Sequence, residues 1–294
     1  MGVVEGNSDL VGSTDATLTD EAVTVDGNQL QYLTGGTGTT PLVLLHGGII
    51  DAAYISWGEL LGPLADRTRV YGLNLLGYGG SDIPDGPLSM ARHVETVAAF
   101  IDELGLEDPV VAGTSMGGGA ALGLALDYPD RVDRVVALEA FALGSDLSSG
   151  LLTWLLAKIQ VTNHVSVALM RRSRGFVERS LGSLAYDPDS ISDATVDRVM
   201  HEVKRPGAGT AFRKFRAAEV TRDGYRTDYT DRLPELTVPV HYVHGTDDDL
   251  LPPRWSERAA ERTPDSDLSM LDECGHLAPL EQPDRVYEIL TDRL

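Results

Sequence analysis

Along most of the chain, short apolar runs alternate with longer stretches of helical period. The runs fall at 42–45, 69–75, 109–114, 134–139, 238–244 and 267–271, each the length of a strand and bounded by polar or Gly-rich turns. Helical patterns lie between them, near 90–104, 117–127, 255–262 and 284–293. This alternation predicts a largely parallel sheet with helices on both faces. Ahead of it, Val23, Val25, Leu30 and Tyr32 alternate with polar positions around Asp26-Gly27-Asn28, which predicts a hairpin over 21–36. Residues 1–20 are rich in Gly, Ser, Thr and Asp with little apolar periodicity, and are expected to form a mobile acidic tail. Between Ala140 and Leu233 the strand rhythm stops. Leu151 to Leu156, Ser192 to Lys204 and Thr210 to Arg222 read as helical, so this stretch is expected to be an all-helical insertion.

The candidate chemistry starts at Val110 to Gly119. An apolar run ends in Gly113-Thr114-Ser115-Met116-Gly117, and a small-residue helix follows. Strand, sharp turn and helix around G-x-S-x-G describe a nucleophile elbow, in which side chains at 113 and 117 would collide across the bend. A serine hydroxyl is a weak nucleophile at neutral pH and needs a base, itself oriented by an acid. His276, after Gly275 and before the C-terminal helical stretch, is the base candidate. The carboxylate-rich loop after 238–244 offers the acid. Asp248 is favoured by its offset from Gly245 and Pro252; Asp247 is the alternative on that loop, and Asp249 reads as a solvated turn residue. The oxyanion hole needs two backbone donors. Met116, after the nucleophile, supplies one, and Gly48 the other, with Ile49 as its alternative. His46 reads as a residue that braces this loop.

His46-Gly47-Gly48, Gly77-Tyr78-Gly79-Gly80-Ser81-Asp82, Gly113-Thr114-Ser115-Met116-Gly117-Gly118, Gly245-Thr246-Asp247-Asp248 and Gly275-His276 follow one another in an order that resembles the α/β-hydrolase superfamily, in its esterase and C–C-hydrolase-like branch. The resemblance covers about residues 21–294. It implies a mostly parallel eight-stranded sheet with helices on both faces, a core of 21–140 and 233–294, and a helical lid at 141–232. It also implies a substrate pocket, for which Ile49, Trp154, Leu155 and Phe212 are candidates, with Met170, Phe176 and Phe215 as further lid residues. Some relatives place the acid after the preceding strand, which makes Glu139 a second alternative to Asp248. Arginines are frequent in the insertion (Arg171, Arg172, Arg174, Arg179, Arg205, Arg213, Arg216). A solvated helix face accounts for most of them, and one could meet an anionic substrate.

Departures from the pattern carry information. Many relatives have Asp where this chain has Asn74, so a structural carboxylate is missing there. Ser115 stands where haloalkane dehalogenases and epoxide hydrolases have an aspartate, which argues against both activities. Ile49-Ile50 replaces the Pro-Gly of proline iminopeptidases. The resulting expectation is a serine-dependent hydrolase that cleaves a carboxylic ester or related acyl bond of a small molecule. The alternatives are a C–C bond hydrolase of meta-cleavage-type diketone acids, a cofactor-free perhydrolase, and a slow-turnover small-molecule receptor. No cofactor and no metal are expected, since His241 and His244 would point to opposite faces of a strand.

Composition adds a second theme. Asp plus Glu number 45 against 24 Lys plus Arg, a net charge of −21, and lysine occurs only at 158, 204 and 214. Self-repulsion of this size destabilises a compact state unless salt screens it. The pattern resembles proteins of extremely halophilic microbes, and a need for molar KCl or NaCl is expected. So negative a field argues against nucleic acid and anionic membranes as partners. No run is apolar enough to span a bilayer and no signal peptide is evident, so a cytoplasmic location is expected. The single cysteine, Cys274, has no intrachain disulfide partner and reads as small apolar packing.

Overall fold

The computed structural model describes residues 7–11, 17–145 and 160–294. Among them, eight strands form one sheet: β1 (Thr19–Val25), β2 (Asn28–Gly35), β3 (Pro41–Leu45), β4 (Arg69–Leu73), β5 (Val110–Thr114), β6 (Arg134–Leu138), β7 (Val240–Gly245) and β8 (Ser266–Leu271). Their spatial order is β1-β2-β4-β3-β5-β6-β7-β8. β2 is antiparallel to both β1 and β4, and every pairing from β4 across to β8 is parallel. The β1–β2 turn is Asp26-Gly27, with φ 48° and 75°, a left-handed pair that matches the twist of a hairpin.

Helices cover both faces: α1 (Ala53–Ser56), α2 (Leu61–Ala65), α3 (Met90–Leu104), α4 (Met116–Asp127), then, between β6 and β7, α5 (Gln160–Met170), α6 (Arg174–Gly182), α7 (Asp193–Glu202) and α8 (Thr210–Glu219), and finally α9 (Arg254–Arg262), α10 (Ala278–Glu281) and α11 (Pro283–Thr291). Side-chain alternation along β3 shows why its run is apolar throughout. Val43 and Leu45 join one core with Val97 of α3, Leu124 of α4 and Trp255 of α9. Leu42 and Leu44 join the other with Leu64 of α2 and Leu290 of α11. Capping sets helix limits: Ser89 accepts from Arg92 N–H at the start of α3, and Gly105, at φ 59°, closes it. Ser173 and Ser192 cap α6 and α7 in the same way.

Within the stretch expected to be a tail, two short segments have regular structure. Asn7–Leu10 forms a 3₁₀ turn, and β1 starts at Thr19. The backbone N–H groups of Asn7 and Ser8 donate to the Asp20 carboxylate, Asn7 Nδ2 donates to Gly79 O, and Arg198 Nε donates to Leu10 O. These anchors are polar, which is why apolar periodicity did not reveal them. Among the described residues, no helix is long and apolar enough to cross a membrane.

The parallel strands all end on the same side of the sheet. The loops after β3, β5, β6, β7 and β8 therefore converge there, the usual location of sites in open α/β sheets.

Candidate active site

The β5–α4 turn holds Ser115 at φ 53°, ψ −114°, a left-handed conformation that a non-glycine residue adopts only under constraint. The constraint is visible. Ser115 N–H donates to Leu138 O at 2.9 Å, and Ser115 O accepts from the N–H groups of Gly119 and Phe141 at 3.0 Å. The flanking glycines are obligatory: a Cβ on Gly113 would lie 2.3 Å from Gly117 C, and one on Gly117 would lie 2.4 Å from Leu45 O.

His276 and Asp248 arrive from the loops after β8 and β7. His276 Nε2 lies 3.0 Å from Ser115 Oγ, and its Nδ1 lies 2.7 Å from Asp248 Oδ2. Asp247 and Asp249, its neighbours on the loop, are exposed. Asp248 is buried and accepts four hydrogen bonds: from His276 Nδ1, from His244 Nε2 at 3.1 Å, and from the N–H groups of Leu250 and Leu251 at 2.7 and 2.9 Å. Burial pushes its pKa up, yet the bonds from His244 and His276, the His276 charge and the Leu251 N–H more than offset this and hold the carboxyl well below its usual range. The balance is reasonable, since a hydrogen bond to a charged acceptor contributes about 1.5–3 kcal/mol.

His244 is the participant that sequence reasoning missed. On β7 it lies fully buried, with Nδ1 2.7 Å from Ser256 Oγ and Nε2 near both Asp248 Oδ2 and Leu251 O. Two acceptors at Nε2 place the proton there and leave Nδ1 to accept from Ser256. A histidine inside an apolar strand was the available signal. His241 belongs elsewhere, bonded to Ser269 and Arg293.

Glu139, the alternative acid, follows β6 at φ 40° and is fully buried. Its Oε2 accepts from Thr114 Oγ1 at 3.4 Å, and Oε1 has no partner among the described residues. Burial, then repulsion from Asp248 and Glu281, raises its pKa well above 4.5. The Asp248 and Glu139 carboxyls are thus driven apart in protonation.

The loop that carries His276 is pinned from below. Glu281, in α10, accepts from Gly275 N–H and Leu277 N–H at 3.0 Å, and also from Tyr186 N–H at 2.8 Å. His276 N–H donates to Leu184 O at 2.8 Å. Segment 184–186 of the insertion is therefore tied directly to the His276 loop. A Cβ on Gly275 would meet Leu184 O at 2.5 Å, so this close approach requires glycine. Cys274 is buried beneath, with its thiol pKa raised chiefly by burial.

After β3, His46 is fully buried: Nδ1 lies 2.8 Å from Gly47 O, and Nε2 accepts from Leu75 N–H at 3.0 Å. Burial lowers its pKa to about 3, so the ring is a neutral brace. Asp51 accepts from Gly47 N–H, Ala52 N–H and Ser56 Oγ at 2.7–2.8 Å, and burial raises its pKa to about 7 despite those bonds. With Gly47 N–H engaged, Gly48 and Ile49 are the next donors along the loop, and Ile49 has φ 63°. Met116 opens α4, and a first-turn N–H has no intrahelical acceptor. Asn74 replaces the expected carboxylate productively: Oδ1 accepts from Ala53 N–H at 2.8 Å, while Nδ2 donates to Gly79 O at 3.3 Å, which a carboxylate could not do.

Ser115, Met116, Gly48, Ile49 and His276 all face one cavity of about 340 Å³, mostly apolar, with Met170, Phe212 and Phe215 of the insertion in its wall. Trp154 and Leu155 lie outside the described residues. No cluster of three or more His, Cys, Asp or Glu suited to a metal occurs among the described residues.

An ionised acid, an imidazole and a hydroxyl in hydrogen-bonded series can take a proton from the serine. The profile of the family described as alpha/beta hydrolase fold matches residues 40–283. A 2-hydroxymuconate semialdehyde hydrolase of Pseudomonas putida is 29% identical over 260 residues, 86% of each chain. Among solved structures, a 2-hydroxy-6-oxo-6-phenylhexa-2,4-dienoate hydrolase from a Rhodococcus strain superposes with TM-score 0.78 at 21% identity, covering 95% of this chain and all of the other. A thermophilic esterase from Thermogutta terrifontis gives TM-score 0.70 at 25% identity, covering 94% and 97%.

Proposed function

The chain belongs to the alpha/beta hydrolase fold family, and we propose that it is a serine-dependent hydrolase of a small carboxylic ester, working through an acyl-enzyme. The observation that carries this reading is the continuous chain Ser115 Oγ, His276, Asp248, at 3.0 and 2.7 Å. In this mechanism His276 Nε2 accepts the Ser115 proton as Oγ forms a bond to the ester carbonyl carbon. Negative charge gathers on the carbonyl oxygen, where Met116 N–H and Gly48 N–H stabilise it. Collapse breaks the bond to the alkoxide, which takes the proton from His276. Water, deprotonated by the same imidazole, then cleaves the acyl-enzyme and returns the proton to Ser115. Asp248 holds the His276 tautomer and stabilises its charged form, and His244 with the Leu250 and Leu251 N–H groups keeps Asp248 ionised. The helical insertion acts as a lid that excludes water from the cavity.

Covalent labelling tests the nucleophile directly. An alkyl fluorophosphonate should add one adduct to the protein, found on the peptide that contains Ser115 and missing in Ser115→Ala. An adduct elsewhere, or none, contradicts the reading. A C–C bond hydrolase is the second reading, favoured by the Pseudomonas relative's name and its 86% coverage. It predicts turnover of 2-hydroxymuconate semialdehyde in preference to simple esters.

A further inference from the structure

Arg216, in α8, is the arginine of the insertion that reaches the cavity wall. Four of its counterparts are committed to other groups. Arg174 pairs with Glu178, Asp193 and Asp197, Arg198 with Glu59, and Arg205 with Glu202, while Arg171 donates to the carbonyls of Val203 and Arg205. Among the described residues Arg216 has no carboxylate partner and no hydrogen-bond acceptor. Its guanidinium sits over the Phe212 ring, 5.8 Å from the centroid, and Tyr225 is a neighbour. Among the described residues, the other ionisable groups on the cavity wall are His276, held by Asp248 and Ser115, Asp51, whose oxygens are taken by Gly47, Ala52 and Ser56, and Tyr225, whose phenol is held in its neutral form by burial. Partial burial pulls the Arg216 pKa down, a sign that its charge has lost water without gaining a counter-ion.

A half-buried cation beside apolar walls, with no counter-ion among the described residues, is costly for a folded protein to keep. An incoming anion would remove that cost, and the planar guanidinium suits a carboxylate above other anions of similar size. The rest of the molecule carries strong negative charge, so attraction of an anion into this cavity has to be local. We propose that Arg216 receives a carboxylate at the far end of the substrate's acyl chain, so that the preferred esters are half-esters of dicarboxylic acids. This rests on the ester-hydrolase reading for the reaction, though not for the binding of the anion.

The test compares p-nitrophenyl hemisuccinate, hemiglutarate and hemiadipate with neutral butyrate, valerate and hexanoate esters, in molar KCl. The wild type should favour the anionic ester over the neutral one of equal carbon number in kcat/KM by about tenfold or more for at least one chain length. Arg216→Met should lower that ratio by about 10- to 100-fold, the range of a charged hydrogen bond, and Arg216→Lys should keep part of it. A ratio unchanged by Arg216→Met, or a wild type that prefers neutral esters, overturns the proposal. Calorimetry of Ser115→Ala with monomethyl glutarate and with methyl valerate separates the two claims. If no ester is turned over but monomethyl glutarate binds more tightly and loses that advantage in Ser115→Ala/Arg216→Met, the anion site stands and the ester reading falls. If all esters are hydrolysed without charge preference, the anion site falls and the ester reading stands.

Discussion

Asp248 and Glu139 share a neighbourhood but not an environment. Asp248 has four donors and stays ionised; Glu139 has one long bond and is held toward its neutral form. Two predictions follow at this scale. Asp248→Asn should cut kcat by about 10⁴-fold, the scale known for an amide in place of a triad acid, because the amide no longer fixes the imidazole tautomer; steady-state kinetics check this, and retention of more than a tenth of wild-type kcat contradicts it. Glu139→Gln should stabilise the fold increasingly with pH. The wild-type carboxyl has its folded pKa raised above the unfolded value, so its stability is complete below about pH 4.5 and declines as pH rises toward the folded pKa. Gln does not titrate. The Tm difference between variant and wild type should therefore be larger at pH 8 than at pH 5, and a pH-independent difference refutes the account. Ser115, His276 and Asp248 were legible because each follows a strand and two are flanked by glycines that the bends require. His244 was not legible, since a buried histidine bonded to a serine and a carboxylate looks in sequence like any polar residue in a strand.

At the scale of elements, the loop from Glu273 to Leu277 has no regular structure of its own, and Glu281 holds it by capping Gly275 and Leu277 N–H while also gripping Tyr186 N–H of the insertion. Removing the carboxylate leaves the half-buried Gly275 and Leu277 donors unpaired and frees the exposed Tyr186 N–H. Glu281→Ala should lower kcat by about 10- to 100-fold through misplacement of His276, with faster amide exchange at Gly275, Leu277 and Tyr186. Glu281→Gln, which keeps one acceptor oxygen, should lose less. Unchanged exchange at those amides would remove the link from loop to insertion. The strands themselves were readable because parallel strands buried on both faces become continuous apolar runs. The 3₁₀ turn at Asn7–Leu10 escaped notice because its anchors, Asp20, Gly79 and Arg198, are distant in sequence and polar.

Across the whole molecule, a net charge of −21 surrounds an apolar cavity whose chemistry needs fixed geometry. Exposed ion pairs such as Arg131–Asp102 and Arg232–Asp127 offset little of the repulsion. Raising salt from 0.1 M to 1 M shortens the screening length from about 10 Å to about 3 Å. We therefore expect Tm to climb steadily between 0.1 M and 3 M KCl, followed by circular dichroism, whereas a flat profile would show that the acidic surface imposes no salt requirement. The salt expectation comes from composition alone, whereas the sequence pattern announced the fold. Cavity shape was not legible, because it depends on how α5 to α8 pack over the sheet edge. The central claim is that Ser115 is the nucleophile of an ester hydrolase. Its most direct test is hydrolysis of p-nitrophenyl esters from acetate to octanoate in molar KCl by the wild type and by Ser115→Ala. The account predicts turnover in the wild type that ranks the acyl lengths and disappears in the variant. A folded wild type without turnover, or a Ser115→Ala protein that keeps it, would contradict the claim.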